Sequence, residues 1–518
     1  MAGKGGTGRH AFLVAAGILL SRLMGLLRQR VFNHYFGLSD AADAFTAALR
    51  VPNFLQNLFG EGVLSASFIP IYARLLADRE DAEADRVAGA IGSILALGSA
   101  VVVAIGMLAT PYLMWAIAYG YSGAKREMVI HLARILFPGT GLLVCSAWCL
   151  GILNSHRKFF LSYTAPVVWN LAMIATILLY RGDNLDSLAV KLAWGTVLGC
   201  ALQFAVQLPV VLRLAPRLRL RPETTSPHVR EVLRNFVPVA LSRGVMQVSA
   251  YIDQGLASLL PMGAMTAMTN AQSIYMLPVS LFGMSVSAAE LPAMSGAVGG
   301  NEALRQRLNN GLRQIAFFIV PSAMAFFAFG DVITAVLYEG GRFTHADSIY
   351  VWGIVAGSAV GLLASTLGRL YQSTYYALRD TRTPLRFALV RVLLTGALGY
   401  LCAIPLPYWL GINPRWGVAG LTASAGLAGW VEFALLRRAL NRRIGTTGVP
   451  LDLVARLWGS AALGAAVGWA IKWRIGEQKP LVSAVAVLVP YGLLYFAGAY
   501  ALRVEECASV FRRLKRLR

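Results

Sequence analysis

The sequence predicts an all-α polytopic membrane protein of about 14 transmembrane helices, built as two pseudo-symmetric six-helix lobes plus two C-terminal helices. Three observations predict it. The 518 residues are 57% hydrophobic and only 14% charged, where soluble chains carry roughly a quarter charged residues. Mean hydropathy is +0.59. Apolar windows of about 20 residues, the length that crosses a bilayer as a helix, recur from end to end, separated by short polar connectors.

In chain order the windows are 11–36, 41–74, 88–119, 128–153, 159–180, 187–213, 232–260, 266–297, 311–329, 347–378, 384–404, 416–438, 451–472 and 481–502, each good to a few residues. Several exceed the span of a bilayer, which predicts tilting, kinking or protrusion. The first carries Arg22, Arg28 and Arg30; the second carries Asp43, Arg50 and Glu61, and its pattern breaks at Pro52, Gly60, Gly62 and Pro70. Proline and glycine at those points predict a bent second helix.

The longest polar connector, LAPRLRLRPETTSPHVR at 214–230, divides the chain. The predicted lobes are 1–220 and 221–445, with 446–518 holding the last two spans and a basic tail. The halves look related. LSR at Leu20–Arg22 precedes LFGEGVLSASFIP from Leu58; LSR at Leu241–Arg243 precedes LFGMSVSAAELP from Leu281. Serine to the LFG phenylalanine is 38 residues in the first half and 40 in the second. Both repeats open their half in the same direction, which predicts parallel lobes around a central cavity.

Net charge is +22. The positive residues sit in loops, with about 30 Lys and Arg on one side and about 8 on the other if the N-terminus is cytoplasmic. This predicts both termini in the cytoplasm and contact with lipid headgroups, not nucleic acid. The inner set includes Arg213, Arg217, Arg219 and Arg221, then Arg437, Arg438, Arg442 and Arg443, then the tail Arg512–Arg518. Lys4 and Arg9 lead into an apolar run without an A-x-A site, so the first span is expected to stay in place. Cys145, Cys149, Cys200, Cys402 and Cys507 make no metal spacing with histidine and are expected to pack as small hydrophobes.

No nucleophile elbow, phosphate-binding lysine loop or zinc motif is present, and no soluble nucleotide domain. The reading is a secondary transporter, not an enzyme, so function rests on charges at membrane depth. Each costs several kcal/mol, roughly 3 on insertion scales. Such charges persist where they line water, pair, or bind charged cargo. Guanidinium presents paired donors that match phosphate oxygens, so Arg22 and Arg28 suit a pyrophosphate. The competing reading pairs them with Asp43 and Glu61 to hold the lobe together. Glu61, between Gly60 and Gly62, is the candidate hinge or gate. In the second half Asp253 is the candidate coupling-ion carboxylate; its alternative is a fixed salt bridge with Arg391 or Arg243. Glu432 is expected to pair with Arg437 or to lie at the headgroups.

The pattern SR-x-x-G-x-x-R, FG, DAF, PN and F-x-EG-x-x-S-x-x-F-x-P, followed by GRFTHADS at Gly341–Ser348 and YYALRDTRTP at Tyr375–Pro384, resembles the MurJ (MviN) family of lipid II flippases, relatives of the MATE exporters. The resemblance implies a bacterial inner-membrane protein of peptidoglycan biosynthesis. It would be a V-shaped molecule of 14 helices whose cationic cavity carries the headgroup by alternating access, with a groove near the last two helices for the polyprenyl tail. Cell-wall synthesis proteins are implied partners. Arg22, Arg28, Asp43 and Glu61 fall on cavity and gate positions. Gln56 stands where family members have a further cavity arginine, and Ser273 and Met276 where they have an arginine and a glutamate. Asp253 matches an aspartate of a family sodium site, which implies possible Na+ coupling; Gly399 stands where that site has an asparagine. Arg391 or Arg243 is then expected to supply a built-in positive charge. The rivals are a flippase for another polyprenyl-diphosphate glycan, a MATE-like exporter and a non-transporting scaffold.

Overall fold

The computed structural model describes residues 4–287, 290, 294, 300–476 and 478–507, without the side chains of 4–16, 18, 51, 55, 61 and 241–250. The end of the second repeat and the tail Arg512–Arg518 therefore lie outside the described residues. Two units form, Met1–Met265 and Thr266–Arg518. The sequence division at residue 220 follows the repeat; the seventh expected span packs with the first unit.

The first unit holds α1 (Lys4–Phe36), α2 (Asp40–Ala48), α3 (Arg50–Phe59), α4 (Glu61–Ser67), α5 (Ile69–Ala77), α6 (Asp81–Ile117), α7 (Gly123–Ser155), α8 (Phe159–Leu179), α9 (Leu185–Leu214) and α10 (Pro227–Ser258). The second expected span is thus four short helices. Ser39 caps α2 by accepting the Ala42 N–H at 3.2 Å. Pro52 falls in the first turn of α3 and Pro70 in the first turn of α5, positions where the missing N–H is an orphan anyway.

Among the described residues two apolar clusters pack in this unit. One gathers Phe32, Phe36, Phe45, Leu136, Phe137 and Met173; the other gathers Phe68, Tyr72, Ile91, Trp148 and Leu153. Polar contacts join the helices at both ends, and a buried set of Ser146, Gln203 and Gln207 links α7 to α9. Gly120 N–H donates to Ser258 Oγ at 3.0 Å at one end. At the other end Arg74 meets Glu231 at 2.9 Å, Ser226 donates to Glu83 at 2.7 Å and Arg217 N–H donates to Asp85 at 2.9 Å.

The second unit holds α11 (Ala264–Pro278) running into a π turn at Val279–Met284, then α12 (Gly300–Tyr338), α13 (His345–Ala359), α14 (Leu362–Ala377), α15 (Arg382–Ala403), α16 (Pro405–Trp409), α17 (Gly417–Ile444), α18 (Leu451–Ile475) and α19 (Pro480–Ala501). α12 runs past the expected end of span nine through a kink at Phe329 (φ −135°, ψ 20°). The Trp352 indole donates to Phe326 O and Phe327 O, both at 3.1 Å, satisfying carbonyls beside that kink. α13 and α14 bend by 44°. A Cβ on Gly361 at that bend would meet Gly426 Cα at 2.3 Å, so backbone packs on backbone there.

Among the described residues nine helices are long and apolar enough to cross a membrane, ten if α13 and α14 form one span. The chain is an all-helical, multi-span membrane protein. The other expected spans fall on α1, α2–α5, α10 and α11 with its π turn.

Among the described residues four non-glycine residues have left-handed backbones: Arg79, Arg157, Arg379 and Arg503. Each follows a helix end. The next N–H reaches back to close the turn: Glu80 to Leu75 O, Lys158 to Leu153 O, Asp380 to Tyr375 O and Val504 to Ala499 O, at 2.8–2.9 Å. Glycine is the ordinary choice there. Arginine instead sets a cation against the negative end of the helix dipole.

Candidate functional site

Arg28 is half-buried on α1. Its guanidinium carbon lies 5.1 Å from the centre of the Trp169 ring, and Nη1 is 3.8 Å from Met173 Sδ, both on α8. A guanidinium can stack its flat face on an indole while the N–H groups of its edge donate to acceptors. Arg22 and Arg30 are exposed on the same helix. At about 100° per residue Arg22 and Arg28 diverge; α1 stays helical through Gly25.

Asp43 is 1% exposed. Lys125, at the start of α7, places Nζ 3.0 Å from Asp43 Oδ2, 2.7 Å from Asp40 Oδ1 and 4.2 Å from the Tyr121 ring centre. Gly263 N–H donates to Asp43 Oδ2 at 2.8 Å. Gly263 has φ +85°, and a Cβ there would meet Leu38 Cβ at 2.7 Å. One carboxylate thus ties α2, α7 and the turn after α10 together. Lys125 gave no signal in the sequence, where it reads as one more loop cation.

The break at Gly60 is built into the backbone. Gly60 is buried and extended (φ −89°, ψ −153°) between α3 and α4. A Cβ would fall 2.2 Å from Gln56 O, so only glycine fits. Its carbonyl accepts the Val63 and Leu64 N–H groups at 3.1 and 3.2 Å, starting α4. Gln56 is half-buried on α3, and Gly62 follows in the first turn of α4. The side chains of Glu61 and Arg243 lie outside the described residues.

Arg50 is a cation the candidate set omitted. Tyr251 OH donates to its carbonyl at 3.1 Å. With the Gln254 amide turned to present oxygen, that oxygen accepts from Arg50 Nε at 3.2 Å and Nη1 at 3.0 Å. Phe54 packs edge-on against Tyr251 at 5.3 Å. α10 therefore holds α3 just before the break, and half-buried Asp253 lies on the same helix as Tyr251 and Gln254.

In the second unit Ser273 is half-buried and donates to Thr269 O at 3.0 Å within α11. Glu432 corrects an expectation. It is buried, and its partners are Arg391 at 3.1 Å and Gln372 at 3.0 Å. Arg437 instead donates from Nε to Thr447 O at 2.8 Å. Residues five apart point to different faces of a helix, so Glu432 turns inward to α14 and α15. Arg391 and Asp253 belong to different units. Among the described residues no cluster of three metal-ligating side chains occurs.

Residues 32–497 match the family described as lipid II flippase MurJ. A lipid II flippase MurJ of Burkholderia cenocepacia is 30% identical, covering 97% of this chain and 99% of that protein. A probable lipid II flippase MurJ of Rhizobium tropici is 29% identical, covering 98% of this chain and 96% of that one. Among solved structures, a lipid II flippase MurJ in an inward closed conformation superposes with TM-score 0.78 at 21% identity, covering 95% of this chain and 99% of that chain. An inward-facing MATE family transporter of the MOP superfamily superposes with TM-score 0.66 at 18% identity, covering 83% and 98%.

Proposed function

This chain belongs to the lipid II flippase MurJ family, and we propose that it moves lipid II from the inner to the outer leaflet of a bacterial inner membrane by alternating access through a cationic cavity. It is a transporter and not an enzyme. The observation that carries the anionic cargo is Arg28, held against Trp169 and Met173 with Arg22 and Arg30 on the same helix. An unpaired phosphate in hydrocarbon is prohibitive, and arginines replace its water with paired donors.

The proposed topology has 14 spans with both termini cytoplasmic. The left-handed arginines support it. Arg79, Arg157, Arg379 and Arg503 follow the second, fourth, tenth and fourteenth spans, all of which end in the cytoplasm on that count. Arg22, Arg28, Gln56 and Ser273 are the proposed headgroup contacts. Gly60, Glu61 and Gly62 are the proposed gate, with Asp43 as its outer fastening. Asp253 is the proposed coupling carboxylate for Na+. Arg243 and Arg391 are the proposed source of a built-in positive charge, Arg391 being held by Glu432.

A second reading, flipping of another polyprenyl-diphosphate glycan, is favoured by one observation: Gln56 and Ser273 are neutral. An exporter of cationic drugs calls for an acidic cavity, which Arg22, Arg28 and Arg30 on α1 oppose. The test is complementation in a bacterium depleted of its own lipid II flippase. Wild type should restore growth, and Arg22→Ala with Arg28→Ala should not at matched membrane levels. Failure of well-inserted wild type would move the reading to other polyprenyl-linked glycans.

A further inference from the structure

α12 carries a proline deep inside its length. Pro321 has no N–H, so the carbonyl of Phe317, four residues back, loses its helical donor. Phe317 is buried, where an acceptor left unmet is costly. A different helix supplies the donor: the Tyr495 hydroxyl of α19 donates to Phe317 O at 2.5 Å. One turn earlier on α19 the Tyr491 hydroxyl donates to Pro321 O at 2.6 Å. Residues four apart share a helix face, so α19 presents both hydroxyls to the proline together.

The kink at Phe329 is a second interruption of the same helix, with the Trp352 indole of α13 on the carbonyls of Phe326 and Phe327. Ion pairs pin both flanks. Arg313 meets Glu505 at 3.0 Å and Glu506 at 2.5 Å, and Asp331 pairs with Lys472 of α18. The stretch from Arg313 to Asp331 thus has fixed ends and a middle completed by side chains of other helices. A bond to a tyrosine hydroxyl breaks and re-forms by small side-chain movements, without unwinding a turn of α12.

This joint touches a helix of the proposed transport path. Phe318, next to the orphan carbonyl, stacks on Phe282 with ring centres 4.4 Å and planes 4° apart. Phe282 lies in the π turn that continues α11, the helix carrying Ser273. Ser322 Oγ donates back to Phe318 O at 2.8 Å, a contact that favours bending. Movement at Pro321 therefore displaces Phe318 and, through the stacked rings, the π turn.

We propose, given the transport reading above, that α12 flexes at Pro321 during each transport cycle. The Tyr495 hydroxyl is the exchangeable donor that holds one bend, and the Phe318–Phe282 stack passes the movement to α11.

The test uses the full chain, unfolded in detergent and assayed for lipid II translocation in cells at matched membrane abundance. Tyr495→Phe should lower the unfolding temperature, because Phe317 O is left without a donor. Pro321→Ala should not lower it, since the restored N–H reaches that carbonyl. In the Pro321→Ala background Tyr495→Phe should cost less than about half as much, the two sharing one acceptor. Translocation by Pro321→Ala should nevertheless fall at least about fivefold, as for a hinge made rigid. Pro321→Gly removes the same ring but leaves a pliable backbone, and should translocate more than Pro321→Ala. Additive losses in the unfolding cycle, wild-type translocation by Pro321→Ala, or equal losses in the alanine and glycine variants would each overturn the proposal. A wild-type chain that moves no lipid II would instead overturn the transport reading, and this use of the joint with it.

Discussion

Lys125 Nζ and Asp43 Oδ2 lie 3.0 Å apart, and the carboxylate is 1% exposed while the ammonium side chain is 19% exposed. The lysine is what makes burial of that carboxylate tolerable, because a buried charge stripped of its partner is costly. Lys125→Ala should lower stability by about 3 kcal/mol, read as a fall in the detergent-phase unfolding temperature. Asp43→Asn should recover much of it in the Lys125→Ala background. Additive losses would show that the two do not act as a pair.

Gly60→Ala should abolish transport while leaving expression and insertion intact. The added methyl carbon meets Gln56 O at 2.2 Å, so α3 and α4 must shift relative to each other. Gly25→Ala is the control, since a Cβ there meets nothing within 4 Å. Lipid II translocation and membrane abundance, measured together, separate the two variants. Equal activity would remove the break from the mechanism.

Arg28→Lys should lose most activity despite keeping its charge. The guanidinium lies over Trp169; an ammonium has no flat face to stack and no paired donors to offer. Trp169→Leu should have a milder effect in the same direction. Titrating expression in the complementation strain ranks the three chains, and a fully active Arg28→Lys would mean that charge alone suffices.

Arg157→Gly should be neutral or slightly stabilising in unfolding, within about 1 kcal/mol, because glycine adopts the left-handed cap without strain. The same change removes a cation from an end proposed to face the cytoplasm. Cysteine accessibility at that loop should therefore report a weaker orientation preference in a chain that unfolds no more readily.

Asp380 is held at about 2, below its ordinary 3.8, first by the Thr383 backbone N–H and then by the Thr383 hydroxyl and Arg443. A lowered carboxylate contributes stability above its unfolded value and loses it as pH falls through the folded one. Unfolding temperature should thus drop between about pH 4 and pH 2 in wild type. Asp380→Asn should flatten that part of the curve; an unchanged acid limb would assign it to other groups.

The helical architecture was legible because bilayer thickness writes itself into the sequence as apolar windows of fixed length. The helix over Phe159–Leu179 matches its window of 159–180 almost residue for residue. The break at Gly60 was legible too, since glycine and proline interrupt a helix for local reasons. The pairing of charges was not. Lys125 reaches Asp43 across 82 positions and Arg391 reaches Glu432 across 41; such partners are set by which helices pack, and no local pattern records that. The same limit explains Arg50, whose partners lie on α10.

The central claim is that arginines on α1 move a lipid-linked pyrophosphate. The most direct measurement is the fraction of lipid II accessible from outside cells depleted of their own flippase. Cells carrying the wild-type chain should recover outer-leaflet lipid II. Arg22→Ala with Arg28→Ala should leave it inside at equal protein abundance. Full accessibility in that double variant would contradict the account.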